Sequence, residues 1–331
     1  MVNLSNEPKK LRVLLVKTSS LGDVLHNLPV VSDIIAHRPD TRIDWLVDTQ
    51  FAALPRLHPA VRTVIPVALR RWRKNLGSLA TWREIGNFHR TFSGEHYDVS
   101  IDTQGLLKSA LLMRDFGGKR CGFNWDCARE PVASFFYQRK FEVIKAQHAV
   151  ERNRQLVAKA LSFELGGVAN FGIQTTSVGK FEWLPAGLFA VLLHATSRAD
   201  KCWVERNWVE LGGYLDGLGI HCVLPWGSEP ERARSVRLSA QIPRSIVPPK
   251  VSLTDAASLL SGACAVIGVD TGLAHLAAAL NVPTIGVYTA TDPALTGLYA
   301  SNSTCNLGGI GQPPDVAAVV STLQRITGFG A

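Results

Sequence analysis

Lys17-Thr18-Ser19-Ser20-Leu21-Gly22-Asp23-Val24 follows a short apolar strand over 12–17. It opens a helical pattern through Val24, Leu25, Leu28, Val31, Ile34 and Ile35. Strand, polar turn and amphipathic helix in that order form the unit of a parallel α/β sheet. The same order recurs on both sides. Strands are predicted over 42–47, 61–67 and 99–102, and helices over 77–92, 106–114 and 149–164. Pro29 inside the first helical pattern marks a kink or a boundary. The pattern stops near Leu165-Gly166-Gly167 and restarts with a buried-type strand over 187–193. Helices over 203–218, 229–240, 255–262, 272–280 and 315–325 then alternate with strands over 221–224, 265–269 and 284–288. The fold class is α/β: two Rossmann-like doubly wound parallel-sheet domains facing a central cleft.

A length of 331 residues agrees with two domains, at about 150 residues each. The most apolar stretch, 256–288, is broken by Asp270, His275 and Pro283, which argues against a membrane span. The first ten residues lack the apolar run of a secretory signal. Six cysteines without a C-x-x-C pair read as reduced structural thiols, not as a zinc site or a disulfide framework. A cytoplasmic protein is expected.

Charge is uneven. Residues 1–165 carry 25 Lys and Arg against 16 Asp and Glu, a balance of +9, whereas 166–331 carry 10 against 11. The densest run is Arg70-Arg71-Trp72-Arg73-Lys74. Basic and aromatic residues also mix between Phe123 and Lys145, with Arg129 among them. A solvated basic face, a nucleic-acid surface and a site for a phosphorylated, membrane-borne substrate all fit such clusters. No nucleic-acid-binding motif accompanies them.

Ligands of open α/β sheets bind beyond the carboxyl ends of strands, where helix N-termini offer free N–H groups. The turn at Asp23 is neither G-x-G-x-x-G nor a P-loop. Asp23 reads equally as a capping acid or as a base kept ionised by the helix N-terminus. At Val269-Asp270-Thr271-Gly272-Leu273-Ala274-His275, Gly272 admits a diphosphate to the backbone and Thr271 adds a donor. Asp270 suits sugar hydroxyls, and a capping turn beside a buried histidine is the plainer alternative. Thr196, Ser197 and Lys201 follow a third strand end, where Lys201 can offset charge on a departing diphosphate or be an ordinary solvated lysine. Pro225-Trp226-Gly227 precedes Glu229 and Glu231, either an acid for ribose hydroxyls or exposed helix residues.

Taken together, these runs resemble the ADP-heptose:lipopolysaccharide heptosyltransferases. The branch known as heptosyltransferase I is matched by Ile65–Lys74, Asp102-Thr103-Gln104-Gly105, Ala128-Arg129-Glu130-Pro131 and His148-Ala149-Val150-Glu151-Arg152. The resemblance covers nearly the whole chain beyond about Lys10. It implies a GT-B fold, with an N-terminal acceptor-binding domain over 11–165 and a linker over 166–185. A nucleotide-sugar-binding domain spans 186–312, and a C-terminal helical segment over 313–331 packs back on the N-terminal domain. It also implies inverting transfer of L-glycero-D-manno-heptose from ADP-heptose to Kdo of Kdo-lipid A, without metal or cofactor. The enzyme is expected to be a monomer, peripheral on the cytoplasmic face of the inner membrane.

By the same resemblance Asp23 is the general base and Lys201 assists catalysis. Thr196, Ser197, Lys201, Val251, Asp270, Thr271, Gly272 and His275 contact the donor, with Glu231, or Glu229 in its place, on the ribose. Ser20, Arg70, Arg71, Arg73, Lys74 and Arg129 meet the acceptor. Two other readings stay open: a sibling core glycosyltransferase that adds the second heptose or uses another nucleotide sugar, and, remotely, a basic nucleic-acid-binding protein.

Overall fold

A run such as Arg12–Val16, apolar on both faces, belongs in the middle of a parallel sheet covered by helices on each side. In the computed structural model, which describes residues 10–174, 181–196, 198–299 and 303–330, Val13, Leu14, Leu15 and Val16 are fully buried. That strand, β1, lies at the centre of a six-stranded parallel sheet. Helices α1 (Leu21–Leu25) and α2 (Leu28–His37) follow it. Pro29 marks a boundary: it stands in the first turn of α2, where a missing N–H is tolerated. The unit continues with β2 (Arg42–Asp48), β3 (Val61–Val67), α3 (Leu69–Lys74), α4 (Leu79–Phe92) and β4 (His96–Asp102). Then come α5 (Leu107–Leu112), β5 (Gly117–Phe123), β6 (Arg139–Phe141) and α6 (Ala149–Leu161).

The second unit runs β7 (Phe189–Leu193), α7 (Glu205–Gly217), β8 (His221–Val223), α8 (Glu229–Ser239), β9 (Ser245–Ile246) and α9 (Leu253–Ser261). It closes with β10 (Ala265–Val269), α10 (Gly272–Ala279), β11 (Thr284–Tyr288), α11 (Pro293–Thr296), β12 (Thr304–Gly308) and α12 (Val316–Thr327). Strand order is β3-β2-β1-β4-β5-β6 in the first sheet and β12-β11-β10-β7-β8-β9 in the second. Both are the doubly wound order, and their pairings are parallel throughout. The order reverses between β1 and β4 in one sheet and between β7 and β10 in the other. Those two switch points are where a crevice opens at the carboxyl edge.

Residues 10–146 and 150–172 make up the first unit, and 147–149 with 173–330 the second. Residues 175–180 of the expected linker lie outside the described residues. α12 packs on α7, β11 and β12 of its own unit, because Val316, Val319 and Leu323 are buried in the second core with Trp208 and Leu211. The strand β5 was not expected from its sequence, GGKRCGF. Its glycines answer to packing: a Cβ on Gly118, at φ +99°, would fall 1.8 Å from the Tyr97 carbonyl oxygen.

Candidate functional site: two half-sites at the switch points

At the first switch point, β1 delivers Lys17 and the turn that starts α1. The first four N–H groups of a helix lack partners within it. Here Oδ2 of Asp23 accepts from the Ser20 N–H at 2.9 Å and from the Ser20 hydroxyl at 3.0 Å. The capping reading of Asp23 is therefore correct, and it leaves Oδ1 without a share in these bonds. Nη1 of Arg129 stands 3.7 Å from Oδ2. Burial disfavours the charged form of Asp23, but the Lys17 ammonium, the Ser20 donors and Arg129 outweigh it and hold the carboxyl below its usual range.

The turn itself is held from β4. Gln104 Oε1 accepts from the N–H groups of Thr18 and Ser19 at 3.0 and 3.1 Å. Asp102 fixes Gln104 in turn: its Oδ1 takes the Gln104 N–H at 2.7 Å, and its Oδ2 takes the hydroxyls of Ser109 and Tyr137, each at 2.7 Å. Lys17 is buried and donates to the Thr103 carbonyl at 2.8 Å; burial lowers its pKa. Lys108 of α5 reaches Ser19 Oγ at 3.4 Å, with its pKa lowered by burial and then by the charges of Arg70 and Arg73. Lys17 after β1 and Arg129 after β5 thus act on the Asp23 carboxylate, while Lys108 of α5, near Arg70 and Arg73 of α3, reaches the turn beside it.

Among the expected acceptor residues, Arg70 donates to Gln50 Oε1 at 3.2 Å and covers the Phe51 ring at 5.2 Å. Arg71 is paired with Glu84, so its charge is partly spent. Arg73, Lys74, Arg129 and Ser20 are exposed.

The second switch point is organised around Asp270, one residue beyond β10. Lys201, reached by the turn after β7, donates to its Oδ2 at 2.6 Å, and Thr291 beyond β11 donates to the same oxygen at 2.9 Å. The Thr196 hydroxyl holds the Asp270 carbonyl at 3.1 Å, and His275 Nε2 lies 3.8 Å from Oδ1. Burial opposes the charge on Asp270, yet His275, Lys201 and Thr291 overcome it and push its pKa far down. Thr271 is the N-cap of α10, and Gly272 its first residue. Thr291 was not singled out from the sequence, because only the β10–β11 pairing brings it to Asp270. Ser197 lies outside the described residues.

Farther along the same edge, Glu231 follows β8 in the first turn of α8. Its Oε2 accepts from the N–H groups of Gly227 at 2.7 Å and Ser228 at 3.2 Å. Glu229 is 77% exposed and 3.7 Å from Arg232. Val251 follows β9, just before the Ser252 cap of α9. Thr196, Lys201 and Asp270 at the switch point, Glu231 beyond β8 and Val251 beyond β9 thus fall in strand order along one edge. Among the described residues no cluster of three or more His, Cys, Asp or Glu is arranged to hold a metal ion.

Two doubly wound parallel sheets in one chain, each with polar and charged groups gathered at its switch point, make up the GT-B architecture of nucleotide-sugar glycosyltransferases. A family profile described as glycosyltransferase family 9 (heptosyltransferase) matches residues 85–324. Lipopolysaccharide heptosyltransferase 1 of Escherichia coli (strain K12) is 47% identical over 295 residues, covering 88% of this chain and 92% of that one. The structure of E. coli heptosyltransferase WaaC with ADP is similar at a TM-score of 0.89 and 43% identity, over 96% of this chain and 100% of that one. WaaC with ADP-2-deoxy-2-fluoro heptose gives 0.86 and 42%, over 95% and 99%. The chain belongs to glycosyltransferase family 9, the heptosyltransferases.

Proposed function

We propose that the enzyme moves L-glycero-D-manno-heptose from ADP-heptose to a Kdo hydroxyl of Kdo-lipid A, the first heptosyl transfer of the lipopolysaccharide core. The observation that carries the chemistry is the contrast between the switch points. One holds an ionised carboxylate among lysines and arginines, and the other a lysine bonded to an acid beside a helix N-terminus. The sugar and acceptor rest on the similarity to the E. coli heptosyltransferase.

In this reading Asp23 takes the proton of the attacking Kdo hydroxyl. The oxygen bonds to the anomeric carbon from the face opposite the diphosphate. The bond from that carbon to the diphosphate oxygen breaks, and ADP leaves with inversion. Lys201 and the N–H groups at the start of α10 offset the charge that gathers on the departing ADP. Thr196, Ser197, Thr271 and Gly272 hold the diphosphate, while Asp270 and His275 hold the heptose. Strands lie about 4.8 Å apart, so stepping outward from the switch point brings ribose to the β8 edge and adenine to the β9 edge. Glu231, or Glu229, serves the ribose and the Val251 backbone the adenine.

Ser20, Arg70, Arg71, Arg73, Lys74 and Arg129 serve the anionic acceptor. The enzyme works as a monomer, without metal or cofactor, at the cytoplasmic face of the inner membrane.

Incubation with ADP-heptose and Kdo-lipid A, read by mass spectrometry and NMR, tests this. The expected product carries one added heptose of inverted anomeric configuration. Transfer only to an acceptor that already bears heptose would instead establish the sibling activity.

A further inference from the structure

The proposed reaction leaves one conspicuous feature of the first unit unused. Large apolar side chains stand in solvent at two places, both beyond the carboxyl edge of its sheet. After β3, Leu79 is 77% and Trp82 56% exposed, with Trp82 Nε1 bonded to the Leu76 carbonyl at 2.8 Å. After β5, Trp125 is 48% and Phe135 69% exposed, their rings 5.3 Å apart. Single exposed apolar residues are ordinary, but paired aromatic and aliphatic groups within a basic rim mark an interaction surface.

The rim is present at both. Arg73 and Lys74 at the end of α3 and Arg83 next to Trp82 in the chain are all exposed. Lys140 lies 6.0 Å from the Phe135 ring, and Arg129 shares its segment with Trp125. Because the sheet is parallel, β1, β3 and β5 all end on the same edge, and β1 lies between the other two. The patches therefore leave that edge on either side of Asp23. Arg129, between Trp125 and Phe135 in the chain, approaches Asp23 to 3.7 Å.

We propose that these two patches are the surface on which the enzyme settles on an anionic lipid bilayer, with Asp23 between them. Trp and Phe suit the interfacial zone of a bilayer, and Lys and Arg beside them suit anionic headgroups. The proposal rests on a lipid-borne acceptor. Such an acceptor keeps its acyl chains in the membrane, so the carboxylate that deprotonates it has to face the headgroups. A docking surface flanking Asp23 meets that need without any membrane-spanning helix, and none of the described helices is long and apolar enough to be one.

Flotation of the full chain with vesicles of phosphatidylethanolamine and phosphatidylglycerol tests the proposal, with phosphatidylcholine vesicles as control. The wild-type protein floats with the anionic vesicles and is released by salt. Trp125→Ser with Phe135→Ser, and Leu79→Ser with Trp82→Ser, each lower the partition coefficient about tenfold. Both pairs slow transfer to acceptor embedded in vesicles and leave transfer to a deacylated, water-soluble acceptor unchanged. Vesicle binding by either double variant equal to wild type, or no binding by wild type, overturns the docking surface. No transfer to the soluble acceptor by wild type overturns the proposed reaction instead, and flotation then still decides the surface.

Discussion

Nζ of Lys201 lies 2.6 Å from Oδ2 of Asp270, joining the carboxyl ends of β7 and β10 across the switch point of the second sheet. Both groups are largely enclosed, their side chains 19% and 13% exposed. Charge-assisted hydrogen bonds of this kind are worth roughly 1.5–3 kcal/mol. Lys201→Met removes the cation and leaves Asp270 with Thr291 and His275. ADP binding, measured calorimetrically, should weaken by about tenfold to a hundredfold, since the nucleotide then meets an acid without its counter-charge. Unchanged affinity would remove Lys201 from the donor site.

Among the groups that favour the charged form of Asp23, the Lys17 ammonium is the strongest. Because the folded-state pKa of Asp23 is depressed, its ionised form adds stability above the unfolded carboxyl pKa. That contribution is lost as pH falls through the depressed folded value. In Lys17→Met, burial acts with less opposition and the Asp23 pKa rises. The acid limb of the kcat profile should then move to higher pH while the plateau near neutrality persists. An acid limb in the same place would show that Lys17 does not tune the base.

The turn chemistry of Asp23, Asp270 and Lys201 was legible in the sequence because strand ends, helix starts and polar residues sit side by side there. The core strands were equally plain, since β7, β10 and β11 are uninterrupted apolar runs. Gln104, Lys17, Lys108 and Thr291 were quoted or passed over without a role. Gln104, Lys108 and Thr291 each act on a residue that follows another strand, and that adjacency depends on strand order, which periodicity does not carry. Glycine hid β5 for a local reason, and the short edge strands β6 and β9 offered too few residues to show a pattern.

Arg70 and Arg73 place two cations near Lys108 and the Ser19 turn. Replacing both with Gln should raise the acceptor KM by about tenfold or more while the donor KM stays within twofold. Added salt should narrow the gap between variant and wild type. An equal rise in both KM values would show that the cluster is not an acceptor site.

Away from either half-site, Arg154 of α6 grips Asp33 of α2 through Nε at 2.8 Å and Nη2 at 3.0 Å, with both side chains buried. Removing one partner of such a pair strands the other charge. Arg154→Leu should therefore lose about 3–5 kcal/mol of stability in urea denaturation, with ADP affinity of the remaining folded protein intact. A loss under about 1 kcal/mol would mean that the pair holds α6 to α2 no better than a surface contact does.

In the proposed transfer from ADP-heptose, Asp23 takes the acceptor's proton. ADP release, followed with and without Kdo-lipid A for wild type and Asp23→Ala, tests it most directly. Release should depend on acceptor in the wild type and fall by about a hundredfold or more in the variant, with ADP affinity unchanged. Release by Asp23→Ala within a few-fold of wild type would contradict the assignment of the base. Release indifferent to acceptor would contradict the transfer itself.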